Sequence, residues 1–306
     1  MMLLIMLDSI IMVLVSVAFL TLLERKILSY IQLRKGPNKV GFIGLLQPFS
    51  DAIKLFTKEN FLIFKSNYYM YMLSPLVSMM LMMLLWINMP YLSEVMNNSY
   101  SFLMVMCLLS MGVYPLMVSG WSSNSIYSMI GSMRSIAQTI SYEVSMILLM
   151  LSFIFLIESY NLIEFMKFQK YLYFFIFLFP LMLILFISLL AELNRTPFDL
   201  AEGESELVSG FNTEYMSGLF AMIFISEYGM IMFMMYLFNL MSMGGNIYSI
   251  LFYLMYMYLL FLVIWVRGTY PRMRYDSLMN LTWMSYLPIS LNYLIILINI
   301  KWILLM

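Results

Sequence analysis

The residues best equipped for chemistry are the carboxylates of AELNRTPFDLAEGESELVSGFNTE, residues 191–214. Glu192, Asp199, Glu202, Glu204, Glu206 and Glu214 stand there against a lone Arg195, six of the sixteen acids in a chain of 306 residues. Glu143 and Glu227 sit well inside apolar runs. An ionised carboxylate at mid-membrane costs about 2.5–3.5 kcal/mol on insertion scales, so acids kept there point to ion or proton movement. A carboxyl with no cation beside it in a poor dielectric favours its protonated form, which can pass a proton on. Glu202, Glu204 and Glu206 are too close together to ionise independently, so their titration is shared. Asp8 lies in the first turns of an apolar run, where the helix dipole favours an acid, and reads as structural.

The elements that must hold these acids are membrane helices. With 63% hydrophobic residues, 10% charged residues and a mean hydropathy of +0.91, the chain lies far from soluble usage. Runs of about 20 apolar residues bounded by charge or turn signals predict eight spans: 2–23, 68–90, 99–119, 136–157, 171–191, 215–240, 247–266 and 282–301. The first run lacks a basic leader and a small-residue cleavage site, so it is expected to be a span and not a cleaved signal. The runs show no strand alternation, so the expected fold is all-α, a single membrane domain over 1–306. Measured from the expected span ends, Glu143 lies about 10 Å deep and Glu227 about 18 Å deep at roughly 1.5 Å per residue. No Lys or Arg falls inside their spans.

Thirteen of the sixteen Lys and Arg fall in the odd-numbered connections, which places those connections on the cytoplasm-equivalent side. Residues 24–67 form a basic connection with a tight turn at RKGPNKVG (34–41). Phe49, Ala52, Ile53 and Phe56 follow at helical spacing, opposite Asp51, Lys54 and Lys58. This predicts a short amphipathic helix on the membrane surface, either an anchor or the lip of an opening for a lipid-soluble molecule. Residues 120–138 read as a small polar loop carrying Arg134, and 191–214 as an acidic loop whose charges could meet the basic one. Glu158, Glu164, Lys167 and Lys170 read as a solvated cap.

Composition also excludes. With no histidine and only Cys107, read as a small buried hydrophobe, the chain cannot supply four-thiolate clusters or imidazole metal sites. No metal site is expected, and any electron transfer the chain takes part in must use redox groups held by other subunits. Zero net charge gives no reason to expect nucleic acid. Thirty-six methionines exceed packing needs. A code reading one isoleucine codon as methionine, as in animal mitochondria, would produce them.

GLLQPFSDAIKLFTKE (44–59) and PFDLAEGESELVSG (197–210) closely resemble the two signature stretches of the subunit 1 family of NADH:ubiquinone oxidoreductase, respiratory complex I. LLERKILSYIQLRKGPNKVG (22–41), GWSSNSIYS (120–128), AQTISYE (137–143) and WVRGTYPRMRYD (265–276) are similar to that family too, so the resemblance covers essentially the whole chain. It implies a mitochondrial inner-membrane subunit, odd connections in the matrix and both termini in the intermembrane space. Its partners would be the quinone-site subunits of the hydrophilic arm and adjacent membrane-arm subunits. Ubiquinone would be the substrate, with NADH, FMN and iron–sulfur clusters held by partner subunits. Carried over by position, Glu24, Arg25, Arg34, Asp51 and Lys54 would line the quinone entry. Glu192, Asp199, Glu202, Glu204 and Glu206 would form a charged funnel beside it, and Tyr142, Glu143 and Glu227 its continuation into the membrane. Glu158 matches no family role. A proton- or cation-coupled transporter would usually show repeated halves, which this sequence lacks. An assembly scaffold would carry the acids without conduction.

Overall fold

A computed structural model describes residues 2–60, 64–90, 98–170, 172–201, 203, 210–244 and 246–305. Among them the chain is helical without strands: α1 Met2–Ile31, α2 Gln47–Thr57, α3 Tyr68–Ile87, α4 Ser101–Met111, α5 Val113–Ser122, α6 Ile126–Ile157, α7 Glu164–Phe168, α8 Phe174–Phe177 and α9 Phe179–Glu192 come first. A 3-10 turn at Gly210–Glu214 precedes α10 Ser217–Ser242, α11 Ile250–Thr269, α12 Tyr275–Asn280 and α13 Leu287–Leu305. The last two are joined by a π-helical stretch, Leu281–Tyr286. Among the described residues seven segments are long and apolar enough to cross a bilayer, with α4–α5 and α12–α13 each counted as one.

The fifth expected span falls on the short α8 and α9. At roughly 1.5 Å per residue, the 14 residues of α9 reach about 21 Å, less than the hydrocarbon thickness of about 30 Å. Pro180 in the first turn of α9 has no N–H to give the carbonyl four residues earlier and its ring crowds that carbonyl, so the run breaks at Leu178.

Two helices pass their expected ends. α1 continues to Ile31, carrying Glu24, Arg25 and Lys26 on helix, because nothing before Gly36-Pro37 stops it. α6 begins at Ile126, so most of the expected 120–138 loop is its first turns. Its serines return their hydroxyls to their own helix, Ser128 to Ser125 O at 2.9 Å, Ser132 to Met129 O at 3.0 Å and Ser135 to Ser132 O at 2.8 Å. Hydropathy counts such residues as loop, whereas packing leaves them helical. The depth assigned to Glu143 used residue 136 as the helix start and loses that reference.

α10 and α6 are the interior, with 61% and 56% of their most apolar windows buried against 17% for the first and last spans. α10 packs on α3, α1, α11 and α2, and α6 on α5, α9 and α13. A helix apolar on every side is stable when other helices surround it. α10 and α3 approach closely at Gly229, where a Cβ would stand 2.6 Å from Met82 Sδ. Trp86 donates its indole N–H to the Gly229 carbonyl at 3.1 Å. Gly131 lets residues 201 and 210 rest on α6, since a Cβ there would lie 3.2 Å from Ala201 O and Gly210 Cα. Cys107 is exposed on α4 and not buried as expected.

Candidate functional site

α9 delivers Glu192 as its last residue, and the chain turns at Leu193 and Asn194, with Asn194 at φ 49. The Asn194 N–H bonds Ala191 O at 3.1 Å and the Phe198 N–H bonds Arg195 O at 2.8 Å, so residues 191–198 form a compact fold. Gln138, fully buried on α6, clamps that fold by donating to Ala191 O at 2.8 Å and Phe198 O at 2.7 Å. Buried carbonyls need such partners because an unmade bond costs the desolvation of the group. From the other side the Met273 N–H bonds Pro197 O at 3.0 Å, and Arg272 reaches the buried Asp199 at 3.2 Å.

The turn swings Arg195 inward, where it is buried at 7% exposure. Its guanidinium carbon lies 4.5 Å from the centre of the Tyr228 ring and Nη2 stands 3.7 Å from Glu227 Oε2. No Lys or Arg lies in the span of Glu227, so the sequence showed no cation for it. The fold brings one from the neighbouring connection. A guanidinium stays charged, so it fixes positive charge here without relaying protons.

Glu192, Asn194, Arg195 and Glu227 line one cavity of about 120 Å³ between α3, α5, α6 and α10. Ser74, Ser78, Ser119, Thr139 and Ser226 complete its polar wall, with Leu81, Met230 and Met234 among its apolar residues. Ser78, Ser119 and Ser226 donate to carbonyls of their own helices at 2.9, 2.8 and 2.7 Å, leaving oxygen lone pairs for the cavity. Glu192 Oε2 and Asn194 Oδ1 are buried without a hydrogen-bond partner among the described residues. The wall is mainly apolar, but these polar groups and room for several waters let the site hydrate.

The remaining expected residues divide. Glu143, half-buried on α6, lies within electrostatic range of Glu192 but does not line the cavity. Tyr142 is fully buried beside Phe198 and Tyr286, its hydroxyl 3.5 Å from Leu278 O. Glu202, Glu204 and Glu206 lie outside the described residues. Glu24 is buried and ion-paired with Arg267 of α11. Arg25, next on α1, is ion-paired with Asp51 of α2, whose other oxygen accepts from Gln47 at 2.9 Å. Arg25 and Arg34 line an open cleft with Ser29, Gln32 and Lys35, and Lys54 is exposed on α2.

Arg267 and Arg272 lie within electrostatic range of each other. The pairs Asp51–Arg25, Glu24–Arg267 and Arg272–Asp199 therefore run in series from the surface helix to the acidic connection. Glu24 and Asp199 pair with arginines of the 267–274 connection. Sequence reading passed over Arg195, Gln138, Arg267 and Arg272 as site residues. The available signal was Arg195 standing alone among six acids. Outside the site, Glu158 caps α6 at φ 61 and pairs with Lys301 at 2.5 Å, and Glu164 pairs with Lys167 at 2.7 Å.

Residues 4–298 match the family model described as NADH dehydrogenase. Three relatives carry the name NADH-ubiquinone oxidoreductase chain 1. That of Aedes aegypti is 59% identical, covering 95% of this chain and 93% of its own. That of Locusta migratoria is 56% identical with the same coverage. That of Apis mellifera ligustica is 49% identical, covering 95% of both chains.

Proposed function

Starting from the fact that this chain belongs to the NADH dehydrogenase family and is a subunit of an NADH:ubiquinone oxidoreductase, we propose that it couples quinone reduction on neighbouring subunits to proton entry into the membrane. The observation that carries the proposal is the convergence of Glu192, Arg195 and Glu227 on one polar cavity inside the helical bundle.

Glu24, Arg25, Arg34, Asp51 and Lys54, with α2 as lip, form the access region for the ubiquinone tail. Support comes from the exposed apolar residues Phe42, Ile43, Leu46, Ile53 and Phe56 around α2, a surface on which an isoprenoid chain can lie. Reduction of the headgroup creates proton demand and negative charge beside Asp199, Glu202, Glu204 and Glu206. The three pairs from Asp51 to Asp199 sense that charge, since Glu24 and Arg25 are neighbours on α1 and Arg267 lies in electrostatic range of Arg272. Glu192 then exchanges protons with Glu143 beside it and, through cavity water, with Glu227. Tyr142 holds the α6 end of this route against the start of α12. Moving a charge against the membrane costs about 2.3 kcal/mol per 100 mV, so the redox reaction has to drive it.

The chain sits in the mitochondrial inner membrane, where α8 and α9 together make the fifth of eight crossings, so that odd connections lie in the matrix and both termini in the intermembrane space. It contacts the quinone-site subunits and the adjacent membrane-arm subunits. NADH, FMN and iron–sulfur clusters stay on the partners.

The test is Glu192→Gln and Glu227→Gln in the assembled oxidoreductase in proteoliposomes. Each should lower proton translocation by about tenfold or more, at the low end of what a positioned acid–base group contributes. Wild-type pumping by both variants in a fully assembled complex would leave the chain a scaffold.

A further inference from the structure

The cavity wall also carries Ser74 of α3. Tyr71 of α3 and Tyr215, which precedes α10, stack with ring centroids 4.4 Å apart and planes 4° from parallel. The Tyr71 hydroxyl donates to Glu214 O at 2.5 Å, and the Tyr215 hydroxyl lies 3.5 Å from Tyr71 O. Each hydroxyl thus sits at the backbone of the other ring, a head-to-tail stack. The stack carries Tyr215 Oη inward along α3 to Ser74 Oγ, 2.9 Å away, where either oxygen can donate. Ser122 of α5 lies near this phenol and pulls its pKa down against the effect of burial. Ser74 lines the cavity. On the same wall Ser226 Oγ and Ser78 Oγ stand 3.3 Å apart, and Ser226 immediately precedes Glu227. Glu214, half-buried, marks the outer end, its charge in range of the Tyr71 phenol.

Packing alone explains a stacked tyrosine pair, since aromatic contacts are favourable in themselves. It does not explain why the inner hydroxyl meets a serine on a cavity wall rather than a backbone carbonyl alone. Burial pushes the Tyr215 phenol above its ordinary value, against the opposing pull of Ser74 and Ser122, so it stays protonated and able to donate.

We propose that Tyr215 and Ser74 form a second proton entry to the cavity, from the side of Glu214, which reaches Glu227 along Ser78 and Ser226. This rests on the cavity carrying protons, as above. Each hop is balanced: the Tyr215 oxygen takes a proton from a hydronium on the Glu214 side, leaving water, as its own proton passes to Ser74 Oγ, and Ser74 gives its proton to cavity water. The Glu227 carboxylate accepts the last one, so no hydroxyl is left ionised.

The test uses Tyr215→Phe, which keeps the ring stack, and Ser74→Ala and Ser74→Thr, in the assembled oxidoreductase in proteoliposomes. Proton translocation is followed in H₂O and D₂O. Tyr215→Phe and Ser74→Ala should each slow coupled turnover about fivefold, the rate equivalent of one neutral hydrogen bond, and enlarge the solvent isotope effect. Ser74→Thr, which keeps a hydroxyl, should restore both. Tyr71→Phe, which removes a hydroxyl facing a backbone carbonyl, should leave the isotope effect at its wild-type value. A wild-type isotope effect in Tyr215→Phe, whatever its rate, would reduce the pair to packing. Glu192→Gln and Glu227→Gln in the same assay separate the two proposals: if they lose pumping while Tyr215→Phe keeps it, only the second entry fails.

Discussion

Arg195 carries more of the site than its position in an acidic loop suggests. A buried guanidinium 3.7 Å from Glu227 and 4.5 Å from the Tyr228 ring centre offsets its own desolvation through two partners at once. Removing one member of such a pair strands the other's charge, whereas removing both leaves none. Arg195→Met and Glu227→Gln should therefore be non-additive in the thermal inactivation of the assembled complex, with a coupling of about 0.5–3 kcal/mol. Additive losses would mean that the ion pair exerts no force on Glu227. Arg195→Lys is not a conservative exchange here, because an ammonium lacks the planar face that stacks on Tyr228. Glu192 differs in kind: its Oε2 finds no partner among the described side chains, which suits a group that exchanges its proton with water.

Among the elements, the contact of α3 with α10 sets the cavity, since Ser74, Ser78 and Leu81 come from one helix and Ile223, Ser226, Glu227 and Met230 from the other. Gly229 fixes how close the two helices come, with Met82 filling the space a side chain would occupy. Gly229→Ala should lower the level of assembled complex, at about 1–3 kcal/mol for overpacking. Met82→Ala in the same chain should recover much of that loss by vacating the space. Native gel quantification of the complex checks both, and an unaffected Gly229→Ala would show that the spacing of α3 and α10 is set elsewhere. At α9 the decisive feature is its short length. Ending at Glu192 and followed by a turn clamped by Gln138, it lets the connection fold back between helices and place Arg195 inside.

As a whole the molecule has an interior built on α6 and α10 and a broad apolar periphery. Leu4, Ile11, Met12, Leu254, Tyr258, Trp265 and Trp302 are all more than half exposed. Such a surface demands lipid or other subunits around it. The described residues bring no three metal-binding side chains together. The isolated chain in a lipid nanodisc, given NADH and a short-chain ubiquinone, should show no quinone reduction by absorbance, while the assembled complex does. Turnover by the isolated chain would overturn the assignment of the redox groups to partner subunits. The ion pairs Asp51–Arg25, Glu24–Arg267 and Asp199–Arg272 tie α2, α1, α11 and the acidic connection to one another across about 150 positions of sequence.

Helix content, membrane residence, the surface helix at 47–57 and the acidic character of 191–214 were legible in the sequence. Hydropathy, helical spacing and charge clustering are properties of neighbouring residues, and neighbours are what a linear string displays. The end of α1 and the start of α6 were legible less well than their interiors, because serine and charged residues read as loop until packing makes them helix. Only the tertiary structure decided that Arg195 stands beside Glu227, that Arg267 and Arg272 take Glu24 and Asp199, and that Tyr215 reaches Ser74. Those contacts depend on the angles and spacing of helices far apart in the chain, set by where a glycine admits a neighbour and where a short helix ends.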